Sequence, residues 1–193
     1  MASTTVYTVE HRRKREGKTD YKARLKLLSS GMTRVVARKS LRYIWFQAVQ
    51  YSPDGDKVLI TAHSKELAKY GWKGNSSNMP SAYLTGLLFA KKAKSHKISK
   101  AVYDIGRQVS VKGNVLYAGL KGIIDGGLAV AHSKEVLPDD SRVSGKHISD
   151  FAKKIKENKQ LYDRTFGLYL KNKIDPENIP KLFEDVKKKL VAA

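Results

Sequence analysis

Residues 33–62 read TRVVARKSLRYIWFQAVQYSPDGDKVLITA, and their alternation decides the fold class. From Thr33 to Lys39, Val35 and Ala37 fall on one side and Arg34, Val36 and Arg38 on the other, the period-2 signature of a strand. Tyr43 to Tyr51 repeats it: Ile44, Phe46 and Ala48 make an apolar face, and Tyr43, Trp45, Gln47 and Tyr51 an aromatic and polar one. Ser52-Pro53-Asp54-Gly55 is a turn by mechanism, since proline fixes φ and glycine admits positive φ. Lys57 to Ala62 returns with Val58, Ile60 and Ala62 inward. Three strands with short links predict an antiparallel meander, apolar on one side and carrying arginine and aromatic residues on the other. That second side is either a stacking surface for RNA or buried under helices. Large aromatics are usually mostly buried, which puts Trp45 in the core, whereas arginine is almost never buried unpaired, which assigns Arg34 and Arg38 to a ligand.

Downstream, Ser64 reads as an N-cap with Glu66 in the first helical turn. The run KYGWKGN, Lys69 to Asn75, breaks that helix. Tyr70 and Trp72 flank a glycine, Lys69 and Lys73 flank the aromatics, and Asn75 follows, a composition suited to base stacking beside phosphate contact; either aromatic could instead anchor the loop. Asn78 and Pro80 open a strong helix with Tyr83, Leu84, Leu87 and Leu88 as its stripe. Ala101 to Gly106 is a short strand after a helix, hence a parallel neighbour through a crossover. A polar loop with Arg107 and Lys112 leads to a helix from Asn114. That helix contains Gly119, Gly122, Gly126 and Gly127. Mid-helix glycine costs about 1 kcal/mol against alanine, so close backbone packing is the expected reason. An extended loop is expected over residues 129–145, then basic helical segments over 146–157 and 158–171, and a last amphipathic helix opened by Asp175-Pro176-Glu177.

Upstream lies HRRKREGKTDYKARLKLL, His11 to Leu28. Arg12, Arg13, Lys14 and Arg15 are followed by Lys18, Lys22, Arg24 and Lys26, with Tyr21 among them and only Glu10, Glu16 and Asp20 nearby. Such a segment has no core of its own, so it is expected to be mobile alone and to order on an anionic partner. The whole chain agrees, with 38 Lys and Arg against 18 Asp and Glu, a net +20 and a pI near 10.0. This is the footprint of nucleic-acid binding. A membrane surface would need a bulkier apolar face than Arg12 to Leu28 offers.

At 193 residues the chain can bury one good core with an arm and a helical appendage. The expected division is a basic arm over 1–30, an α/β core over 31–145 and a helical extension over 146–193. No apolar run reaches membrane-spanning length. Met1-Ala2-Ser3-Thr4-Thr5 leads straight into charge, without the apolar stretch of a signal peptide. The absence of cysteine excludes disulfides and thiolate metal sites and suits a cytoplasmic protein.

Three stretches carry a resemblance. KYGWKGNSSNMPSAYLTGLL (69–88), AGLKGIIDGGLAVAHSKEVLPDDSRVSGKHI (118–148) and EGKTDYKARLKLL near the start closely resemble, in family order, the archaeal form of the large-subunit ribosomal L-eighteen family, whose eukaryotic counterpart is called L-five. The resemblance implies a ribonuclease-H-like α/β fold, a mixed sheet of antiparallel meander plus crossover strand flanked by helices. It implies 5S rRNA as partner, docking beside 23S rRNA in the central protuberance among neighbouring large-subunit proteins, with no cofactor and no small-molecule substrate. The arm, the strand Arg34 to Lys39 and the KYGWKGN loop carry over as RNA contacts. Leu41 departs from the pattern: the family commonly has a small polar residue there, so a left-handed turn and a side-chain contact at that point are put in doubt.

A ribonuclease-H-like core raises a rival, a metal-dependent nuclease using Glu66, Asp104 and Asp125. Against it, no carboxylate lies on Thr33 to Lys39, where the first ligand would belong, and Asp104 and Asp125 read as a strand-end hydrogen-bonding residue and a helix surface group. The histidines have no metal-ligand spacing. A non-specific nucleic-acid packaging protein is the third reading. The residues favour a structural RNA-binding protein, neither enzyme nor metal site.

Overall fold

The computed structural model describes residues 8–192, so the Met1–Thr5 reading lies outside the described residues. Two helices, α1 (Arg12–Arg15) and α2 (Tyr21–Leu28), precede the meander β1 (Arg34–Lys39), β2 (Ile44–Gln50) and β3 (Lys57–His63). A 3₁₀ helix, Ser64–Tyr70, leads into the long α3 (Met79–Ser95), then β4 (Lys100–Asp104), α4 (Val115–Asp125) and β5 (Ala129–Val130). The chain ends with α5 (Asp140–Val143), α6 (Lys146–Ile155), α7 (Lys159–Lys171) and α8 (Ile179–Ala192).

The five strands form one mixed sheet in the order β3-β2-β1-β4-β5. The meander is antiparallel, and β4 and β5 join it in parallel. Ala37 faces Phe46, which faces Ala62, all three essentially inaccessible as the pattern predicts, but Val58 is corrected: an irregularity in register at Ala48/Val49 leaves it 53% exposed and not inward. This inner face packs on α3 and α4. Met79 to Ala90 are buried without interruption, because α3 has the sheet on one side and α8 on another. A helix covered all round does not need a polar stripe. Its buried hydroxyls are satisfied locally, Ser81 donating to the Asn78 carbonyl and Thr85 to the Ser81 carbonyl.

The glycines of α4 are explained by contact. A Cβ at Gly122 would lie 2.1 Å from the Tyr83 carbonyl oxygen, and one at Gly119 would lie 2.1 Å from Cζ of Phe46. From the opposite helix, a Cβ at Gly86 would sit 2.2 Å from the Gly119 carbonyl oxygen. The two helices therefore touch backbone to backbone, as the sequence predicts.

The following expectations are corrected. The 3₁₀ helix is capped by His63 rather than Ser64: the His63 ring accepts from the Lys65 N–H at 3.1 Å, while Glu66 reaches back to the His63 N–H at 2.9 Å. Ser64 is buried and instead accepts from the Ile44 N–H, tying β2 to the helix start. Residues 129–145 are not all loop, since Ala129–Val130 pairs with β4 and Asp140–Val143 is helical; two residues are too few to show alternation. Finally, Trp45 is half-buried on the outer face and is not in the core. The core helices α3 and α4 lie on the Phe46 side of β2, and Trp45 is on the other.

The C-terminal helices share the core. Ile179, Phe183, Val186 and Leu190 belong to the same buried cluster as Tyr83 and Leu87, with Phe183 and Tyr83 rings 5.5 Å apart.

Candidate nucleic-acid interface

The arm is two short helices with no buried residue, in keeping with its lack of a core. Asp20 starts α2 by accepting from the N–H groups of Lys22 and Ala23 at 2.9 and 3.1 Å, and its carboxyl is held below its ordinary range, first by the Ala23 bond. In α1, Arg13 donates to the Thr19 hydroxyl, while Arg12 and Lys18 lie near Glu16 and Lys14 near Glu10. Exposed pairs of this kind contribute about 0–1 kcal/mol each and leave the cations available to stronger anions. Arg15, Lys22 and Lys26 are exposed, and Tyr21 is half-buried with its ring 5.0 Å from that of His11.

One arm cation has a distant partner that local sequence did not disclose. Asp56, in the β2–β3 connection, accepts from Arg24 of α2 at 2.8 Å and from Arg34 of β1 at 2.6 Å. Arg34 also donates to Asp104 at 3.0 Å and is only 4% exposed. The expectation that Arg34 faces a ligand is therefore corrected: it is buried, yet paired at both ends. Its carboxylates come from 22 and 70 residues away. The positional pattern gave no signal of them.

Between α2 and the outer face of the sheet lies a cleft of about 560 Å³. Arg13, Lys18, Arg24, Arg38 and Arg107 line it, drawn from α1, the α1–α2 link, α2, β1 and the loop after β4. The carboxylates there are Asp20, Asp56 and Asp104, all engaged by backbone N–H groups or by arginine. The fold thus gathers cations from five segments around one depression. Lys39 is exposed at the end of β1.

The KYGWKGN loop is not in that cleft. Trp72 is 3% exposed and its indole N–H donates to the Asn75 carbonyl at 3.1 Å, so its role as a stacking residue is corrected to that of an anchor. Tyr169 of α7 accepts from the Asn75 N–H and the Asn78 amide, and Asn172 donates to the Lys73 carbonyl at 2.9 Å. Burial pushes the Tyr169 hydroxyl up in pKa. Sequence reasoning missed Tyr169 and Asn172, in and just after α7, because they act from almost a hundred residues away. Lys69 and Lys73 are exposed, Tyr70 is half-buried against the core, and Ser77 ties the loop to the Leu41 carbonyl at the β1–β2 hairpin tip. Leu41 is 96% exposed and does not adopt positive φ. Lys112 is exposed elsewhere, 2.9 Å from Glu135.

The carboxylates weighed as metal ligands are dispersed and occupied. Glu66 accepts from Lys92 at 2.7 Å, Asp104 from Arg34, and Asp125 from the Tyr83 hydroxyl at 2.7 Å. Burial and that bond together push the Tyr83 hydroxyl well up in pKa. No described helix is long and apolar enough to cross a membrane.

Comparison with known proteins agrees with this geometry. Residues 5–103 match the family model described as ribosomal large subunit proteins 60S L5 and 50S L18. The large ribosomal subunit protein uL18 of Korarchaeum cryptofilum (strain OPF8) is 48% identical over 192 residues, covering 100% of this chain and 98% of the relative. A basic arm, a cation-lined sheet face and a full-length match to an archaeal relative lead to one conclusion: the chain belongs to the L5 and L18 family of large-subunit ribosomal proteins, and is an rRNA-binding structural component of the cytoplasmic ribosome and not an enzyme.

Proposed function

We propose that the protein binds 5S rRNA and attaches it to 23S rRNA in the central protuberance, in contact with neighbouring large-subunit proteins. The observation that carries this reading is the cleft beneath α2, where Arg13, Lys18, Arg38 and Arg107 stand with no carboxylate left uncommitted among the lining residues. Such a depression fits a phosphate backbone entering from the side, with the exposed arm cations Arg12, Lys14, Arg15, Lys22 and Lys26 extending the track. The sheet order 3-2-1-4-5, antiparallel then parallel, supports describing the fold as ribonuclease-H-like. Fold alone does not confer nuclease chemistry.

The test is selectivity at physiological salt, because phosphate contacts are common to every RNA and weaken as salt rises. The protein is expected to retain 5S rRNA when challenged with excess random duplex and with an unrelated structured RNA. Equal retention of all three would replace this reading with non-specific packaging.

A further inference from the structure

Arg38, Trp45 and His63 stand directly opposite one another across β1, β2 and β3. On a pleated sheet, residues paired in register project to the same side. That side is opposite the one on which Phe46 and Ala62 meet the helices. From this row we infer a stacking site for one unpaired RNA base, with Trp45 as the platform, His63 bracing it and Arg38 placed for the adjoining phosphate. The inference rests on reading the protein as a 5S rRNA-binding protein, and it adds a site that shares Arg38 with the arm cleft.

Three features of the row fit this ligand. First, the rings are arranged but not sunk: the Trp45 and His63 planes are within 11° of parallel with centroids 5.8 Å apart, and the Tyr43 ring is 5.0 Å from His63. All three residues are half-buried, on the sheet face that the core does not use. Second, the imidazole is fixed. Its Nδ1 accepts from the Lys65 N–H, so the proton of the neutral ring is on Nε2, a directed donor at the platform's side. In the adjoining register pair, the Gln47 amide bonds the Thr61 hydroxyl at 3.3 Å, keeping a polar rung beside the rings. Third, the charge around the row is one-sided. Arg38 is exposed in the row itself, Arg42 and Lys65 are exposed beside Tyr43 and His63 along the chain, and the nearby carboxylate, Glu66, is taken up by Lys92 and the His63 N–H. A flat ligand carrying negative charge matches an aromatic plane rimmed with cations. A protein partner is disfavoured, because interface cores are depleted in charge.

The experiment uses the intact protein and a 5S rRNA transcript, following tryptophan emission and affinity together. Binding is expected to quench emission in the wild type, and the quenched part is expected to vanish in Trp45→Phe, which retains Trp72 as a constant background. Trp45→Leu is expected to bind 5S rRNA about 5- to 100-fold more weakly with the same salt dependence, the loss typical of one stacked base. A fully paired duplex of equal length is expected to cause no quenching. If 5S rRNA binds while emission stays unchanged and Trp45→Leu binds within about twofold of wild type, the site is overturned and this face is left to a protein neighbour. Should Trp45→Leu not fold, the emission comparison alone decides. Failure of the wild type to bind 5S rRNA selectively would remove the functional reading, and this site with it.

Discussion

Arg34 is fastened to Asp56 at 2.6 Å although Arg34 is 4% exposed, so a full charge is held inside the molecule by a residue of a surface turn. Removing one partner of such a pair strands the other, at about 3–5 kcal/mol for a fully buried pair. Asp104 still engages Arg34 and Asp56 is partly solvated, so Asp56→Ala is expected to cost about 1–3 kcal/mol, read by denaturant unfolding. Because Asp56 also holds Arg24, amide exchange across α2 should accelerate in the same variant. Unchanged exchange in Tyr21–Leu28 would mean that the arm is fixed by something other than this bond.

The arm cations are expected to act through counterion release. Neutralising Arg12, Arg13 and Arg15 should flatten the slope of log affinity against log salt by about 0.7–0.9 for each lost contact. Removal of residues 1–18 should leave the melting temperature nearly unchanged and weaken 5S rRNA binding strongly. Equal affinity of the shortened chain would refute a role for the arm.

Trp72 gives the opposite prediction. A buried indole bonded to the Asn75 carbonyl is scaffold, so Trp72→Ala is expected to lower stability by about 3–5 kcal/mol. All RNAs should then bind more weakly together, with the preference among them retained. Loss of the 5S preference without loss of thermal stability would restore a stacking role.

Glycines separate close packing from simple flexibility. Gly122→Ala would drive a methyl against the Tyr83 backbone, and overpacking of about 1–3 kcal/mol should outweigh the gain of about 1 kcal/mol in helix propensity. Gly167→Ala, on α7 with nothing within 4 Å, should be neutral or stabilising by about 0.4–1 kcal/mol. Thermal melts of the two variants side by side test the contrast.

Stability should also depend on mildly acidic pH. Burial lowers the pKa of His63 and of His147 below the ordinary 6.5. Between their folded values and 6.5 the unfolded chain binds more protons, so the associated stability is complete above 6.5 and declines as pH falls through that window. Protonating His63 would also remove the acceptor that caps the 3₁₀ helix. Glu66, whose pKa is lowered from 4.5 because Lys92 and the His63 N–H outweigh the opposing effect of burial, loses its contribution only under more acidic conditions. His63→Asn should flatten the decline just below pH 6.5.

How far the sequence is legible depends on the range of the interaction. The meander and most of its inner face are written in period-2 alternation, which misplaces Val58 beyond the irregular register at Ala48/Val49, and the α4 glycines announce a close contact before its partner is known. The arm's charge is legible by composition. What was hidden acts over long separations: Asp56 on Arg34, Tyr169 and Asn172 on the Trp72 loop, and the choice of sheet face on which α3 and α4 pack. Arg34 and Trp45 were each misplaced by residue-type averages. Arginine is rarely buried, but two carboxylates bury it here; tryptophan is usually buried, but no core reaches this one.

The glycine seam between α3 and α4 also bears on how the chain is made. Synthesis delivers the meander first, and its inner residues Ile44, Phe46, Ala48, Ile60 and Ala62 leave the exit before Met79–Ser95 and Val115–Asp125 exist to cover them. Phe46 in particular rests against the main chain at Gly119, more than seventy positions later. A chain interrupted before Val115 therefore presents an incompletely covered apolar sheet beside a dense row of cations, a combination prone to aggregate with itself and to cling to any polyanion nearby. The seam that brings two helix backbones together in the finished molecule also delays the cover of the nascent sheet until α4 has been made.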